Sequence, residues 1–380
     1  MPSKPHVHIL GLGNIARYLA FELLSTISKP GISPRNLHPP RLTLLTHRPE
    51  DVAAFEKRAL RSIWCHVLHD EAEGEFQVMG RTHPKGEISV QFVGDESAKG
   101  EMITYLVVAT KAHQTIEALR AVRDRIGRSA RVLFLQNGMG IPSLVSAILF
   151  PDPSTRPTYL AGVCTAGIKP TVPPYPFSFH LAGQGDLIFG IVPDPDDPLP
   201  RSRTPSFLEE HLPRLPHLNA SLVSPQELLK AQLRKLIVNA TINPLTALLR
   251  CRNGEVFGTP ARKMVLEALV AEAGPVIRSL LEGSGIRKAE IENEFSDEEL
   301  RNAAVKVAEA TAANESSMLQ DVKQKRETEV RWINGWVVEE GKKRGMECRW
   351  HEEVVSLVEN RGQGERRLLG EVLEGRGNDD

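Results

Sequence analysis

The sequence predicts an α/β N-terminal domain followed by a mostly α-helical C-terminal domain. Three observations carry that prediction. Short apolar runs alternate with helical patterns as far as Gln136. The first run ends in a glycine-rich turn, Gly11-Leu12-Gly13-Asn14-Ile15-Ala16. From about Ser224 onward the periodicity becomes that of long amphipathic helices.

The strands come first. Val7–Leu10, Leu42–Thr46, Ile88–Val93, Tyr105–Thr110 and Val132–Gln136 are apolar runs of strand length. Several are nearly continuous, as expected for strands covered on both faces. Helical patterns over Ile15–Ile27 and Thr115–Ile126 separate them, which implies a parallel sheet with crossover helices. Tyr159–Thr165, Phe177–Leu181 and Leu187–Val192 follow one another without clear helices, so an antiparallel far end of the sheet is expected. Residues 193–216 are rich in proline and charge and read as a loop or linker.

Helices then dominate: Pro225–Ile242, Ala261–Glu282 and Glu298–Ala313. Ser317 and Gln320 have capping-box spacing, which predicts a helix from there to about Lys343. The charged tail after Asn360 is expected to fray. The domains are expected to be residues 1–222 and 223–380.

Bulk properties exclude several function classes. The 380 residues suffice for two domains, and 41% hydrophobic with 25% charged residues is a composition that supports a real core. A formal net charge of −1 provides no electrostatic footprint for nucleic acid. Cys65, Cys164, Cys251 and Cys348 form no C-x-x-C pair and no zinc spacing, so reduced structural thiols and no metal are expected. No apolar run approaches the ~20 residues of a membrane helix. The first strand starts near Val7, which leaves no room for a signal peptide, so a cytoplasmic location is expected.

The turn after the first strand has the spacing G-x-G-x-x-A. Gly11 can turn sharply out of the strand, Gly13 lets the backbone approach a pyrophosphate, and Ala16 lets the helix, opened by Asn14, pack close to the sheet. The free N–H groups of the helix start then face the phosphates. Its placement between a strand and a helix is the context that turns a weak string into a dinucleotide fingerprint, and makes the domain Rossmann-type. An NAD site usually has an acid at the end of the second strand. Here the strand ends Leu44-Leu45-Thr46-His47-Arg48, and Arg48 can instead make a charge-assisted contact to the 2′-phosphate of NADP. Two later strands end in Thr110-Lys111-Ala112-His113-Gln114 and Gln136-Asn137-Gly138-Met139-Gly140, beyond the carboxyl edge where open parallel sheets bind ligands.

With G-L-G-N-I-A, T-K-A-H-Q, Q-N-G-M-G, K-L-I-V-N-A-T-I-N-P-L-T-A-L (235–248) and S-S-M-L-Q-D…R-E-T-E…I-N-G (316–335) in order, the sequence resembles the ketopantoate reductase family. The resemblance implies a Rossmann domain holding NADP(H) and a helical domain of the 6-phosphogluconate dehydrogenase C-terminal type. It also implies 2-dehydropantoate in the cleft between them, a place in pantothenate biosynthesis, and a homodimer as an allowed assembly. Carried over by motif, Lys235 resembles the catalytic lysine and Glu329 the catalytic glutamate. Asn239, Asn243 and Ser317 match substrate-binding positions. Lys111 and Asn137 match residues near the nicotinamide, and Arg48 matches the arginine that recognises the 2′-phosphate.

The residue types make that chemistry intelligible. Hydride arriving at a ketone carbon puts negative charge on oxygen, which the Lys235 ammonium can stabilise and protonate. Glu329 can accept a hydrogen bond from a substrate hydroxyl and favour the charged lysine. Lys235 and Asn239 are four apart and share a helix face. Asn243 precedes Pro244, which disfavours helical geometry and predicts the helix end there. Ser317 has a second role open to it, as helix N-cap.

The chain departs from the family at Arg331, where an acid is expected, and at Ala166, where histidine is expected. Cys348-Arg349-Trp350-His351 replaces a T-P helix start. Insertions fall at 29–40, around 69–86 and around 193–205. These departures bear on substrate identity. The competing readings are reduction of another 2-oxo acid, and an inactive NADP(H)-binding protein of the same fold. No nucleic-acid or membrane partner is expected.

Overall fold

The computed structural model describes residues 4–24, 39–57, 63–70, 75–81, 88–95, 100–171, 177–197, 204–215 and 217–360, with backbone alone for 67–70 and 75–81. The chain forms two compact units. Unit 1 is Met1–Gln136 with Ile141–Leu228, and unit 2 is Asn137–Gly140 with Leu229–Asp380.

Unit 1 is built on an eight-stranded sheet of order β12-β11-β8-β7-β6-β1-β2-β5. Its strands are β1 (His6–Leu10), β2 (Arg41–Thr46), β5 (Ile88–Phe92), β6 (Tyr105–Val108), β7 (Arg131–Phe134), β8 (Thr158–Cys164), β11 (Leu187–Ile191) and β12 (Ala220–Leu222). From β5 to β8 every pairing is parallel, and the order β5-β2-β1-β6-β7-β8 is that of a Rossmann fold. Helices α1 (Asn14–Leu23), α2 (Pro49–Lys57), α3 (Thr115–Arg120) and α4 (Ile141–Leu149) supply connections. The central strands are buried throughout, with Val7, Ile9, Leu44, Val107 and Leu133 almost wholly inaccessible, which is why their sequences are apolar without alternation.

The five strands expected up to Gln136 all occur. The expected antiparallel far end occurs where β11 runs against β8. Three details differ. The strand expected at Phe177–Leu181 is β10 (Ser178–Gly183), and it leaves the main sheet. It joins β3 (Trp64–Asp70), β4 (Glu75–Arg81) and β9 (Gly167–Lys169) in a second sheet of order β4-β3-β10-β9. Phe179 explains the switch: it meets Tyr18 and Phe21 of α1 edge-on, at 5.8 Å from each, so this sheet contacts α1. Second, β3 and β4 occupy a stretch where no strand was expected.

Third, 193–216 is not simply a linker. It contains α5 (Phe207–His211), where the Ser206 backbone N–H donates to Glu209 Oε2 at 2.9 Å. Leu208, Leu212, Leu215 and Leu218 are buried, and β12 follows as the sheet's last strand. Periodic leucines outweigh the proline content there. The insertion at 29–40 lies largely outside the described residues, as do 198–203 and the tail after Asn360.

Unit 2 is helical: α6 (Pro225–Leu249, which begins in unit 1), α7 (Pro260–Gly283), α8 (Lys288–Glu294), α9 (Asp297–Ala310), α10 (Ser317–Lys323), α11 (Trp336–Lys343) and α12 (Arg349–Glu359). Leu233, Ile237 and Ala240 of α6 pack with Leu266, Leu269, Ala273 and Val276 of α7 in one core. α6 corrects an expectation, because it continues through Pro244 to Leu249 instead of ending at Asn243. A proline inside a helix removes one N–H and costs about 3 kcal/mol when nothing compensates. The carbonyl it strands is Ala240 O, four residues back. That oxygen accepts instead from the Asn334 side-chain amide at 2.9 Å.

The single helix expected from Ser317 to Lys343 is three pieces. α10 ends at Lys323, and the chain turns at Lys325, which has φ 56°. A five-residue π-helical turn, Arg331–Gly335, then leads into α11. Arg326 closes the break, its guanidinium 2.8 and 2.9 Å from Asp321 Oδ1.

Candidate active site

In unit 1 the carboxyl ends of β1 and β6 lie side by side, where the strand order reverses. Gly11 has φ +101°, and a Cβ there would stand 3.1 Å from the Ala109 backbone and from Thr110 Cγ2. Its glycine is therefore required by the turn itself. Gly13 differs: its φ of −66° is open to any residue, and a Cβ there would meet only Ala109 O at 3.6 Å. Gly13 is exposed, so neither backbone nor packing calls for glycine. Close approach of a ligand would.

The helix behind this turn fits the same purpose. α1 opens at Asn14 with Gly13 as N-cap, no capping side chain and no acid in its first turn. Its first N–H groups and positive dipole end suit an anion. Ala16 is fully buried, as close packing of helix on sheet demands. These features fit the pyrophosphate of a dinucleotide.

Arg48 follows the end of β2 and is exposed. Its backbone N–H donates to Thr46 Oγ1, and Thr46 Oγ1 donates to Asp51 Oδ2 at 2.7 Å. Asp51, the second acid after the strand, is thus engaged by a threonine, while the arginine side chain is at the surface. Lys111 caps a short 3₁₀ turn, Ala112–Gln114, after β6. Thr115 links the two strand ends, with Lys111 O 3.3 Å from its hydroxyl and Gln136 Nε2 3.0 Å from it.

In unit 2, α6 carries Lys235, Asn239 and Asn243 at i, i+4 and i+8. Lys235 and Asn239 are half-buried and Asn243 is buried. The neighbouring cations serve elsewhere: Lys230 pairs with Glu290 and Arg234 with Glu294, both on α8. Glu329 is 5% exposed and accepts from Asn137 Nδ2 at 3.2 Å. Asn137 belongs to the strand-end loop that packs within this unit. There Met139 N–H donates to Trp332 O at 3.0 Å, and a Cβ on Gly138 would stand 2.6 Å from Trp332 O. Two residues matched to different parts of a site, Asn137 and Glu329, are therefore in direct contact.

Ser317 is not the helix cap. The N-cap of α10 is Ser316, whose Oγ accepts from Leu319 N–H at 3.1 Å and lies 2.7 Å from Thr246 Oγ1 of α6. Ser317 is the first helical residue and is exposed, so its hydroxyl is not used for capping. The spacing pointed to Ser317, and burial against Thr246 makes its neighbour Ser316 the cap instead.

The departures acquire local explanations. Arg331 makes a bidentate ion pair with Glu359, the last residue of α12. The start of α12 is held from another helix, since Glu272 of α7 accepts from the backbone N–H groups of Trp350 and His351 at 3.0 and 3.1 Å. A glutamate supplied from α7 thus serves that helix start. Ala166 lies in the tight connection between β8 and β9, where a Cβ on Gly185 would come within 2.4 Å of its nitrogen. Asn334, fully buried at the heart of unit 2, had no role in the sequence reading. Pro244 signals a carbonyl left without its helical donor, but nothing in the sequence says which side chain serves it.

Comparison with known proteins gives consistent results. A family model described as "Ketopantoate reductase PanE/ApbA" matches residues 7–194, and one for the C-terminal part of the same family matches 227–362. A "Probable 2-dehydropantoate 2-reductase" of Schizosaccharomyces pombe is 28% identical over 93% of this chain and 96% of its own length. A "Ketoisovalerate reductase BEA2" of Gibberella fujikuroi is 28% identical, covering 98% of this chain and 86% of that protein. Among solved structures, a D-mandelate dehydrogenase bound to NADH and anilino(oxo)acetate superposes with a TM-score of 0.68. It is 18% identical and covers 94% of this chain and 98% of its own.

Proposed function

The chain belongs to the ketopantoate reductase family, and from that premise we propose that it reduces 2-dehydropantoate to pantoate with NADPH. The observation that carries the reading is the contact of Asn137 with the buried carboxylate of Glu329. It ties the Q-N-G-M-G loop to the glutamate of the R-E-T-E motif within unit 2.

Each residue then has a task. Gly11, Gly13, Asn14 and Ala16 seat the pyrophosphate at the start of α1, and Arg48 pairs with the 2′-phosphate. Lys111 and Asn137 lie near the nicotinamide, which supplies the hydride when bound. Lys235 Nζ faces the ketone oxygen, stabilises the charge developing there and donates the proton that completes the alcohol. Asn239, Asn243 and Ser317 hold the substrate's oxygens without adding charge. Glu329 accepts the substrate's own hydroxyl, with Asn137 fixing which way its carboxylate turns.

A second reading has specific support. The G. fujikuroi relative is named for ketoisovalerate, a branched 2-oxo acid that lacks the terminal hydroxyl of 2-dehydropantoate. A buried carboxylate aimed at a hydroxyl discriminates strongly against an analogue that lacks it, so Glu329 favours the hydroxylated acid. Tracing the hydride tests the reaction class. Incubation with NADPH deuterated at both C4 positions and 2-dehydropantoate is expected to place one deuterium on C2 of the product, read by mass spectrometry. Absence of labelled 2-hydroxy acid from any 2-oxo acid supplied would overturn the reading.

A further inference from the structure

Asn334 is 0% exposed and sits in the π-helical turn that begins two residues after Glu329. Its Nδ2 donates to Ala240 O at 2.9 Å and lies 3.1 Å from His351 Nδ1. His351, also fully buried, has its Nε2 3.0 Å from Leu269 O of α7. A carbonyl can only accept, so Nε2 carries the proton and Nδ1 is left as the acceptor for Asn334. Both N–H bonds of the Asn334 amide are then spent, one on each partner. The reverse amide orientation would set its oxygen against Ala240 O, so the network fixes the orientation. Burial holds the His351 ring neutral, its pKa pushed down to about 4, which keeps Nδ1 an acceptor at neutral pH.

The acceptor on α6 is significant. Ala240 O is the one carbonyl that the missing N–H of Pro244 leaves unserved. It follows directly on Asn239 and lies between Lys235 and Asn243. π-helical turns recur at functional sites because they re-aim side chains. This one places a donor opposite a proline-made acceptor on the next helix.

We infer that Asn334 acts as a surrogate helix donor for Pro244, a positioning residue that sets the segment bearing Glu329 in register with the Lys235–Asn239–Asn243 face of α6. This rests on the reading of those residues as the reductase machinery. The consequence for catalysis is indirect. Asn334 touches no substrate, and its loss lets α6 and the π-helical turn slip relative to each other, where a shift near 1 Å suffices to cost up to 10²-fold in rate.

Pro244 supplies the test, because an alanine there restores the N–H that Ala240 O lacks. Asn334→Ala, Pro244→Ala and the double variant are compared by steady-state reduction of the preferred 2-oxo acid, NADPH dissociation constant and Tm. The expected results are a fall in kcat of about 10-fold or more in Asn334→Ala with an unchanged NADPH constant. In the double variant Tm partly recovers, because the N–H restored by Pro244→Ala serves Ala240 O, while kcat stays low because the bond between the turn and α6 is not replaced. Pro244→Ala alone is expected to change kcat by less than about 2-fold. Unchanged kcat in a folded Asn334→Ala variant would overturn the positioning role. A double variant whose Tm is no higher than that of the single, or that is equally insoluble, would overturn the link to Pro244. If wild type reduces no 2-oxo acid, the proposed function fails instead. The Tm cycle still reads the Asn334–Pro244 coupling, which predicts a loss in the single variant partly regained in the double, where Ala240 O is served again and His351 Nδ1 is not.

Discussion

Replacing Gly138 by alanine tests how the strand-end loop holds the candidate site. Gly138 has φ +88°, where an L-residue costs about 1–2 kcal/mol. A methyl group there would lie 2.6 Å from both Trp332 O and Trp332 Cβ. Because one obstacle is backbone, the loop must retreat from the π-helical turn. That movement strains the Met139–Trp332 backbone bond, worth about 1 kcal/mol, and the charged Asn137–Glu329 bond, worth about 1.5–3 kcal/mol. Allowing for partial relaxation, the total is about 2–5 kcal/mol, which for a unit of this size lowers Tm by about 5–15 °C. Release of Glu329 is expected to reduce kcat about 10- to 100-fold. Thermal unfolding followed by fluorescence, together with NADPH oxidation kinetics, reads both effects. A Gly138→Ala protein with wild-type Tm and kcat would refute the argument that this loop needs glycine to clasp Glu329.

Other expectations follow from the same structure. Lys235→Ala is expected to lower kcat by about 10²–10⁴-fold, the range of general acid catalysis, while the NADPH dissociation constant stays unchanged in a fluorescence titration. Arg48→Ala is expected to raise KM for NADPH about 10- to 100-fold, the value of a charge-assisted contact, with little change for NADH. Glu22, fully buried on α1, has its carboxyl pushed up to about 7 by burial, with the His217 backbone pulling weakly the other way. A raised acid favours folding below the unfolded value of 4.5 and loses that contribution as pH rises through 7. At about 1.4 kcal/mol per pH unit, Glu22→Gln is expected to stabilise the protein by about 2–3 kcal/mol at pH 8 and hardly at all at pH 4.5. Urea unfolding at the two pH values checks it.

Much of unit 1 was legible because its determinants are local. Gly11 is required by its own φ, and the buried strands show as apolar runs without alternation. The second sheet was not legible, because β10 joins β3 across more than a hundred residues through Phe179, Tyr18 and Phe21. Rules for single residues also misled. Pro244 argues for a helix end, yet α6 continues because a distant amide supplies the missing donor. Ser317 has a cap's spacing, yet Ser316 caps because Thr246 stands beside it. Motif matching brought forward Asn137 and Glu329, which the structure places in contact. It also included Asn334 in I-N-G, but no pattern along the chain reveals that its partner is a proline-freed carbonyl 94 residues away.

In the proposed reaction Glu329 reads the hydroxyl that distinguishes 2-dehydropantoate from other branched 2-oxo acids. Steady-state kcat/KM with NADPH for 2-dehydropantoate and for the same acid without its hydroxymethyl group, 3-methyl-2-oxobutanoate, tests it most directly in wild type and Glu329→Ala. A strong preference for 2-dehydropantoate is expected in the wild type and its collapse in the variant. Equal or greater efficiency with 3-methyl-2-oxobutanoate in the wild type would contradict it.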